Sequence, residues 1–116
     1  MGDQAMNVTI ERKQGMVIAR PEGDIDLASS PSLRAQLREI VGEADDAIVV
    51  DLEAFPYMDS SGVATLVELL QSCRQKGLDL TLCRLGERVL SVFQIARLDG
   101  VFKIAGSIEE CTGTAD

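Results

Sequence analysis

The tetrapeptide Asp59-Ser60-Ser61-Gly62 places a carboxylate, two hydroxyls and a glycine at adjacent positions. Asp and Ser side chains accept hydrogen bonds from the free amides at the start of a helix, so helix capping is the simplest interpretation. Phosphorylation is the other interpretation, because the dipole and free amides of a helix N-terminus stabilise added negative charge. A single cap needs only one acceptor, and glycine is a poor helix former. The clustering therefore favours a functional role for a serine hydroxyl displayed there.

The elements on either side of the tetrapeptide predict where it lies in the fold. Residues 47–52 are apolar, rich in β-branched residues and too short for a helix, which is typical of a strand buried on both faces. After the tetrapeptide, apolar residues recur at three- and four-residue steps and predict an amphipathic helix: Val63, Leu66, Val67, Leu70 and Cys73. Its N-cap would be Asp59 or Ser60, and Gly77 would end it. Partners of open α/β sheets are met at this carboxyl edge of the strands.

The remaining pattern predicts one α/β domain over residues 7–112, with flexible ends at 1–6 and 113–116. Strands are predicted at 7–12, 16–20, 47–52, 80–84 and 101–104. Helices are predicted from Ser29-Ser30-Pro31 to Gly42, after the tetrapeptide, over 87–96 and from a capping box at 107–110. The first two strands would form a hairpin that ends at Pro21-Glu22-Gly23. An initial hairpin followed by alternating helices and strands gives a mixed, mostly parallel sheet.

Burial patterns refine two of these elements. Leu80 and Leu82 alternate with Thr81 and Cys83, which indicates a strand. The third helix would bury the following side chains: Val89, Leu90, Phe93 and Ala96.

Composition limits the classes of partner. The net charge of −8 opposes binding to nucleic acid or to an anionic membrane surface, and it suits docking onto a basic protein face. No apolar run approaches the roughly 20 residues of a membrane span, and no signal peptide is recognisable, so a cytoplasmic protein is predicted.

The sequence has few residues that could bind a metal or a cofactor. There is no histidine, and Cys73, Cys83 and Cys111 are widely spaced, which predicts buried thiols rather than a zinc site or disulfides. The pair Asp24-x-Asp26 could hold a cation, but such sites need several more oxygen ligands, so a solvated capping loop is favoured. We expect no metal and no cofactor.

Catalysis is also disfavoured. Ser60 as a nucleophile would need a base, and the chain has neither a histidine nor a phosphate-binding Gly-Lys loop. A receiver-like phospho-acceptor domain, using Asp51 or Asp59, expects a helix between its first two strands. Here two strands precede the first helix, so we predict that the protein is not an enzyme.

The stretch Tyr57-Met58-Asp59-Ser60-Ser61-Gly62-Val63, between its strand and its helix, resembles the signature of the STAS family. More narrowly, it is similar to the stand-alone bacterial anti-sigma factor antagonists. Gly23-Asp24-Ile25-Asp26 and residues 96–102 extend the resemblance over nearly the whole chain. It implies a STAS-like fold with helices mainly on one face of the sheet. It also implies that the partner anti-sigma factor, a serine kinase, phosphorylates Ser60.

The resemblance implies a partner switch. The unphosphorylated protein would bind the anti-sigma factor and free a sigma factor, phosphorylation of Ser60 would end binding, and a phosphatase would reset the protein. The implied partner-binding residues are Asp24, Asp26, Met58, Asp59, Ser60, Ser61 and Gly62. An alternative is a STAS subunit of a lipid-transport ABC ATPase or another non-sigma assembly, docked without a phosphate switch. A monomer or weak dimer is expected, because no long apolar seam is visible.

Overall fold

The computed structural model describes residues 7–13, 15–22, 30–54 and 57–107. These residues form a five-stranded sheet and three helices. The strands are β1 Asn7–Lys13, β2 Met16–Glu22, β3 Ala47–Asp51, β4 Asp79–Cys83 and β5 Lys103–Ala105. The helices are α1 Ser30–Glu43, α2 Ser60–Lys76 and α3 Glu87–Ile95. The predicted C-terminal helix and the loop that carries Asp24 and Asp26 lie outside the described residues.

Strand order in the sheet follows chain order, β1-β2-β3-β4-β5. The pair β1 and β2 is antiparallel and forms the predicted hairpin, whereas β2 to β5 are parallel. A crossover between parallel strands is right-handed, so three crossovers that step in one direction place their helices on the same face of the sheet. The side chains agree, because α1, α2 and α3 all contribute to one apolar core against that face. The predicted fold class and the one-sided placement of these helices are confirmed.

The central strand β3 is buried on both faces, as predicted. Ile48 and Val50 point toward the helices and belong to the main core. Val49 points the other way and forms a second, smaller cluster with Ile18 and Cys83. None of the described helices contributes to this second cluster.

Helix α2 ends where the sequence predicts. Gly77 adopts the left-handed conformation (φ 80°, ψ 25°), which a side chain would disfavour. Its amide donates to the Arg74 carbonyl at 3.3 Å, and the amide of Leu78 donates to the Cys73 carbonyl at 2.8 Å. This pair of bonds is a Schellman motif, and it leads the chain directly into β4.

Strand β2 is longer than predicted, because Pro21 and Glu22 continue it rather than end it. Both residues pair with β1 in the hairpin. Pairing with β3 covers only residues 16–19, so the missing amide hydrogen of Pro21 falls outside that ladder.

The predictions for β4, α3 and β5 were partly wrong. In β4, Thr81 and Cys83 are buried together with Leu80 and Leu82. The strand ends at Cys83, one residue earlier than predicted.

Strand β5 begins two residues later than predicted, because the amides of Val101 and Phe102 both donate to the Leu98 carbonyl in a turn. Ala96 lies beyond the end of α3 and is exposed, whereas Val89 and Phe93 are buried as predicted.

The thiols of Cys73 and Cys83 are buried, as predicted, and Cys111 lies outside the described residues. Burial, with a smaller effect from Asp79, raises the pKa of Cys73 to about 11. The Cys73 thiol therefore stays protonated at neutral pH and serves as a small core side chain.

Replacing Phe93 by Ala should destabilise the domain by about 3–5 kcal/mol, because it empties a fully buried ring site. Phe93 is 0% exposed and packs edge-to-face against Phe102, with ring centroids 5.4 Å apart. Urea denaturation followed by circular dichroism measures the change in the free energy of unfolding.

The matched control is Ile95→Ala on the same helix, where the side chain is 81% exposed. This substitution should change the free energy of unfolding by less than about 0.5 kcal/mol. Equal losses for Phe93→Ala and Ile95→Ala would contradict the described core.

Candidate functional site

The connection from β3 to α2 is anchored at both ends. Leu52, directly after β3, is buried, and its amide donates to the Cys83 carbonyl at 2.9 Å. Met58, just before α2, is also buried in the main core. Apolar burial of these two side chains fixes the point at which the chain enters α2, at the carboxyl edge of the parallel strands.

Asp59 is the N-cap of α2, with an extended backbone (φ −99°, ψ −170°). Its Oδ1 accepts hydrogen bonds from the amide of Ser61 at 2.9 Å and the amide of Gly62 at 3.3 Å. The same oxygen accepts a hydrogen bond from the Ser61 hydroxyl at 2.6 Å. The cap therefore engages two amides of the first helical turn, of which that of Gly62 also donates to the Asp59 carbonyl at 3.1 Å, as the sequence predicted for Asp59 or Ser60.

These hydrogen bonds keep Asp59 ionised. The bond from the Ser61 hydroxyl, together with the Gly62 and Ser61 amides, outweighs desolvation and holds the pKa of Asp59 below its ordinary value. Hydrogen bonds to a carboxylate favour its charged form. A full negative charge consequently lies beside Ser60 at neutral pH.

The two serines of the tetrapeptide have different surroundings. Ser60 is the first residue of α2 and is exposed, and none of the described residues makes a hydrogen bond to its hydroxyl. Ser61 is half-buried, its hydroxyl is held by Asp59, and its carbonyl accepts a hydrogen bond from the Thr65 hydroxyl at 2.8 Å. The structure thus offers one accessible serine hydroxyl at the helix start.

The other predicted partner-binding residues have different positions. Met58 and Gly62 are buried, so in this conformation Met58 anchors the connection and its side chain is not on the surface. Asp24 and Asp26 lie outside the described residues. Tyr57 was not predicted to be a binding residue, yet it is 44% exposed immediately before this segment.

A buried carboxylate lies at the end of β3, at the same edge of the sheet. Asp51 is 2% exposed and accepts hydrogen bonds from Arg20 Nε at 3.2 Å and Arg84 Nε at 3.1 Å. The second nitrogen of the Arg84 fork reaches the other Asp51 oxygen, which makes this pair bidentate. The amide of Glu53, in the connection toward α2, also donates to Asp51 at 3.1 Å.

Two further contacts extend this ionic cluster to the surface. Arg20 also bonds Glu11 at 2.8 Å, and Arg84 lies 3.1 Å from Glu53. Arg84 adopts a left-handed backbone (φ 57°), a conformation that costs a non-glycine residue about 1–2 kcal/mol. Its amide bond to the Ala105 carbonyl and its two bonds to Asp51 hold it there.

Burial opposes ionisation of Asp51, but the hydrogen bonds from Arg84, the Glu53 amide and Arg20 outweigh it and lower its pKa. The sequence pattern did not predict the ionic cluster around Asp51. The available signal was an acid at the end of an apolar strand, since a buried carboxylate requires cationic partners.

The geometry argues against the receiver-like alternative. Both carboxylates that it would use as the phospho-acceptor are engaged, Asp51 by two arginines and Asp59 by the amides of α2. Among the described residues, no group of three or more His, Cys, Asp or Glu side chains is placed to hold a metal ion. None of the described helices has the length and apolar character needed to cross a membrane.

Comparison with known proteins connects this geometry to a family. The model of the STAS domain family matches residues 7–111. The chain is 31% identical over 104 residues to BtrV of Bordetella bronchiseptica, named as a candidate anti-sigma factor antagonist, with 90% of each chain covered. It is 28% identical to the anti-sigma-B factor antagonist of Bacillus subtilis, over 90% of this chain and 94% of that protein.

A solved structure shares the fold. It is the Bacillus cell fate determinant SpoIIAA in its phosphorylated form, which superposes with a TM-score of 0.71 at 21% identity. The match covers 95% of this chain and all of SpoIIAA.

Replacing Asp51 by Asn should lower the free energy of unfolding by about 2 kcal/mol, because it removes a buried charge that two arginines share. The matched control is Asp79→Asn, which weakens an exposed pair with Lys103. That control should lose less than about 1 kcal/mol. Urea denaturation at neutral pH measures both changes, and equal losses would contradict a structural role for the cluster.

The effect of Asp51→Asn should also depend on pH. Because folding lowers the pKa of Asp51, its stabilisation is present above the unfolded-state value of about 4 and is lost as the pH falls through the lower folded-state value. The difference in unfolding free energy between wild type and Asp51→Asn should therefore shrink below about pH 4. A difference that stays constant from pH 7 to the acid transition would contradict this.

Proposed function

This chain belongs to the STAS domain family, and we propose that it is an anti-sigma factor antagonist that is switched by phosphorylation of Ser60. In the unphosphorylated state it binds an anti-sigma factor and so frees a sigma factor. The anti-sigma factor is also the serine kinase that modifies Ser60, and a separate phosphatase restores the binding form. The names of the relatives, which cover nearly the whole chain, support the antagonist role.

The main support for the phosphate switch is the exposed Ser60 hydroxyl at the start of α2. None of the described residues makes a hydrogen bond to it. A kinase requires an acceptor hydroxyl that can approach the γ-phosphoryl group in line. Ser60 meets that requirement without any unfolding of the helix. The anchored connection before α2 holds it in one place.

The proposed binding surface is the start of α2 and the segment before it. The surface presents Tyr57, Asp59 and Ser60, with Ser61 partly accessible behind them. Met58 and Gly62 are included as buried support for this segment, and Asp24 and Asp26 remain proposed contributors from the preceding loop. An exposed aromatic ring beside acidic and hydroxyl groups suits a partner face with an apolar pocket and basic side chains.

Phosphorylation would change this surface mainly through charge. A phosphoserine carries about −1.5 to −2 charges at neutral pH, next to an Asp59 that is already ionised. At a separation of about 5 Å these charges repel by about 1–2 kcal/mol even in water. The dipole of α2 offsets about 0.3–1 kcal/mol, so the helix start remains folded.

The effect on the partner is larger than the effect on the fold. A partner face that accommodates one carboxylate and a neutral hydroxyl would have to desolvate a phosphate, or place it against a like charge, which costs several kcal/mol. Because about 1.4 kcal/mol changes affinity tenfold, this penalty is enough to release the anti-sigma factor. No change of fold is needed.

This function implies a cytoplasmic, non-enzymatic protein that acts as a monomer or weak dimer and needs no cofactor. It is formed by a single STAS domain over residues 7–112. The alternative, a STAS subunit that docks constitutively on a transport ATPase, would have no use for an accessible phospho-acceptor. The experiments below separate the two.

Incubation with the anti-sigma factor kinase of the same organism and ATP should place one phosphate on Ser60, located by tandem mass spectrometry. Ser60→Ala should accept phosphate only slowly, and Ser61→Ala should still be modified. If the phosphate appears on another residue, or none is transferred while the proteins still bind, the switch is wrong and constitutive docking is favoured.

Binding of variants to the same anti-sigma factor tests the charge argument. Ser60→Ala should bind within about threefold of wild type, because it keeps the surface neutral at this position. Ser60→Asp should bind at least about tenfold more weakly, since one added charge reproduces part of the phosphate effect. Surface plasmon resonance gives both dissociation constants, and equal affinities for these two variants would contradict the argument.

A further inference from the structure

Two chemically identical hydroxyls lie side by side at the start of α2, and they differ in exposure and in their hydrogen bonds. Ser60 is exposed and has no hydrogen bond to the described residues, whereas Ser61 is half-buried. Exposure alone does not fix this difference, because a serine side chain can rotate among three staggered positions. A specific interaction must therefore hold the Ser61 hydroxyl in its present rotamer.

The group that holds it is Asp59. Its Oδ1 lies 2.6 Å from the Ser61 hydroxyl, a short charge-assisted hydrogen bond in which the hydroxyl donates. The same oxygen is fixed by the amides of Ser61 and Gly62 at 2.9 and 3.3 Å. The carboxylate is thus locked by the helix, and the Ser61 side chain is locked by the carboxylate.

From this geometry we propose that Asp59 is a specificity-determining residue, which directs phosphorylation to Ser60 by holding the Ser61 hydroxyl against the helix start. The inference rests on the proposed function, because it concerns which of two serines the kinase modifies. Asp59 is a positioning residue here, since it acts through Ser61 and takes no part in phosphoryl transfer.

The chemistry of the transfer explains why the hydrogen bond protects Ser61. The acceptor oxygen must align with the γ-phosphoryl group, form the new P–O bond and give up its proton while ADP leaves. Ser61 could do so only after leaving Asp59, since its proton already points at the carboxylate. The bond has a charged acceptor, and bonds of this kind favour the bound state by roughly ten- to a hundredfold. The kinase should therefore modify Ser60 over Ser61 by at least roughly that factor.

A merely structural role for Asp59 would have a different signature. Loss of the cap would loosen the first turn of α2 and lower the total rate of phosphorylation, but it would leave the phosphate on Ser60. The ratio of phosphate on Ser61 to phosphate on Ser60 is therefore the informative readout. It is independent of the total extent of phosphorylation.

The test compares wild type, Asp59→Ala and Asp59→Asn in kinase reactions with ATP, with the two phosphopeptide isomers separated and quantified by mass spectrometry. Wild type should carry phosphate on Ser60 only. Asp59→Ala should raise the Ser61 share by roughly ten- to a hundredfold, because the Ser61 hydroxyl is released. Asp59→Asn keeps an acceptor oxygen for the amides and the hydroxyl but loses its charge, so its ratio should lie between those of wild type and Asp59→Ala.

A second pair of variants isolates the effect on Ser61. In a Ser60→Ala background the kinase should modify Ser61 only slowly, and adding Asp59→Ala should raise the rate of Ser61 phosphorylation by at least roughly tenfold. Circular dichroism confirms that each variant retains its helices.

The outcomes that overturn the inference are distinct from those that overturn the proposed function. If wild type accepts phosphate elsewhere than on Ser60, the proposed function fails. If wild type is modified on Ser60, but Asp59→Ala shows no increase at Ser61 or loses phosphorylation at both serines, only the role of Asp59 is wrong. The role of Asp59 is also wrong if Asp59→Asn behaves like Asp59→Ala.

Discussion

One carboxylate oxygen organises the start of α2. Oδ1 of Asp59 accepts two helix amides and one serine hydroxyl, and in doing so it starts α2, fixes Ser61 and leaves Ser60 uncovered. Because all three donors bind the ionised form, the carboxylate also keeps a negative charge at the helix start. The response of the site to a phosphate depends on this arrangement. A phosphate on Ser60 would lie beside the negative charge of Asp59. The amides of Ser61 and Gly62 already donate to that carboxylate.

The rest of the fold serves to hold that helix start in place. Strand order equals chain order, so successive right-handed crossovers place α1, α2 and α3 on one face of the sheet. The N-terminus of α2 consequently opens at the carboxyl edge, after a connection whose two ends are anchored by Leu52 and Met58. Asp51 binds the amide of Glu53 at the beginning of the connection, whereas Asp59 binds amides at its end. In the proposed switch, the charge of this surface changes while the hydrogen bonds at both ends of the connection stay in place.

The sequence predicts those features that depend on neighbouring residues. The cap at Asp59 and the glycine stop at Gly77 are local patterns, and they were correct. The predicted apolar stripe of α2 was correct for Leu66, Leu70 and Cys73, whereas Val63 and Val67 are only partly buried. The predicted start of β5 was wrong because the turn at Val101 depends on contacts that the local pattern does not contain.

The site was predictable only in part, for the same reason. Resemblance to the STAS family singled out Ser60, but the contrast between the two serines depends on a side-chain rotamer that no spacing reveals. The arginines that neutralise Asp51 come from positions 31 and 33 residues away and are brought there by strand pairing. An acid at the end of an apolar strand shows that partners are needed, but it does not show which residues they are.

The most direct test of the account is a calorimetric titration of the anti-sigma factor with two preparations of the native chain, one unmodified and one phosphorylated to completion on Ser60. The account predicts tight binding of the unmodified protein and an affinity at least roughly a hundredfold lower for the phosphorylated one, with both forms giving the same circular dichroism spectrum. Equal affinities, or a loss of binding that accompanies unfolding of α2, would contradict it.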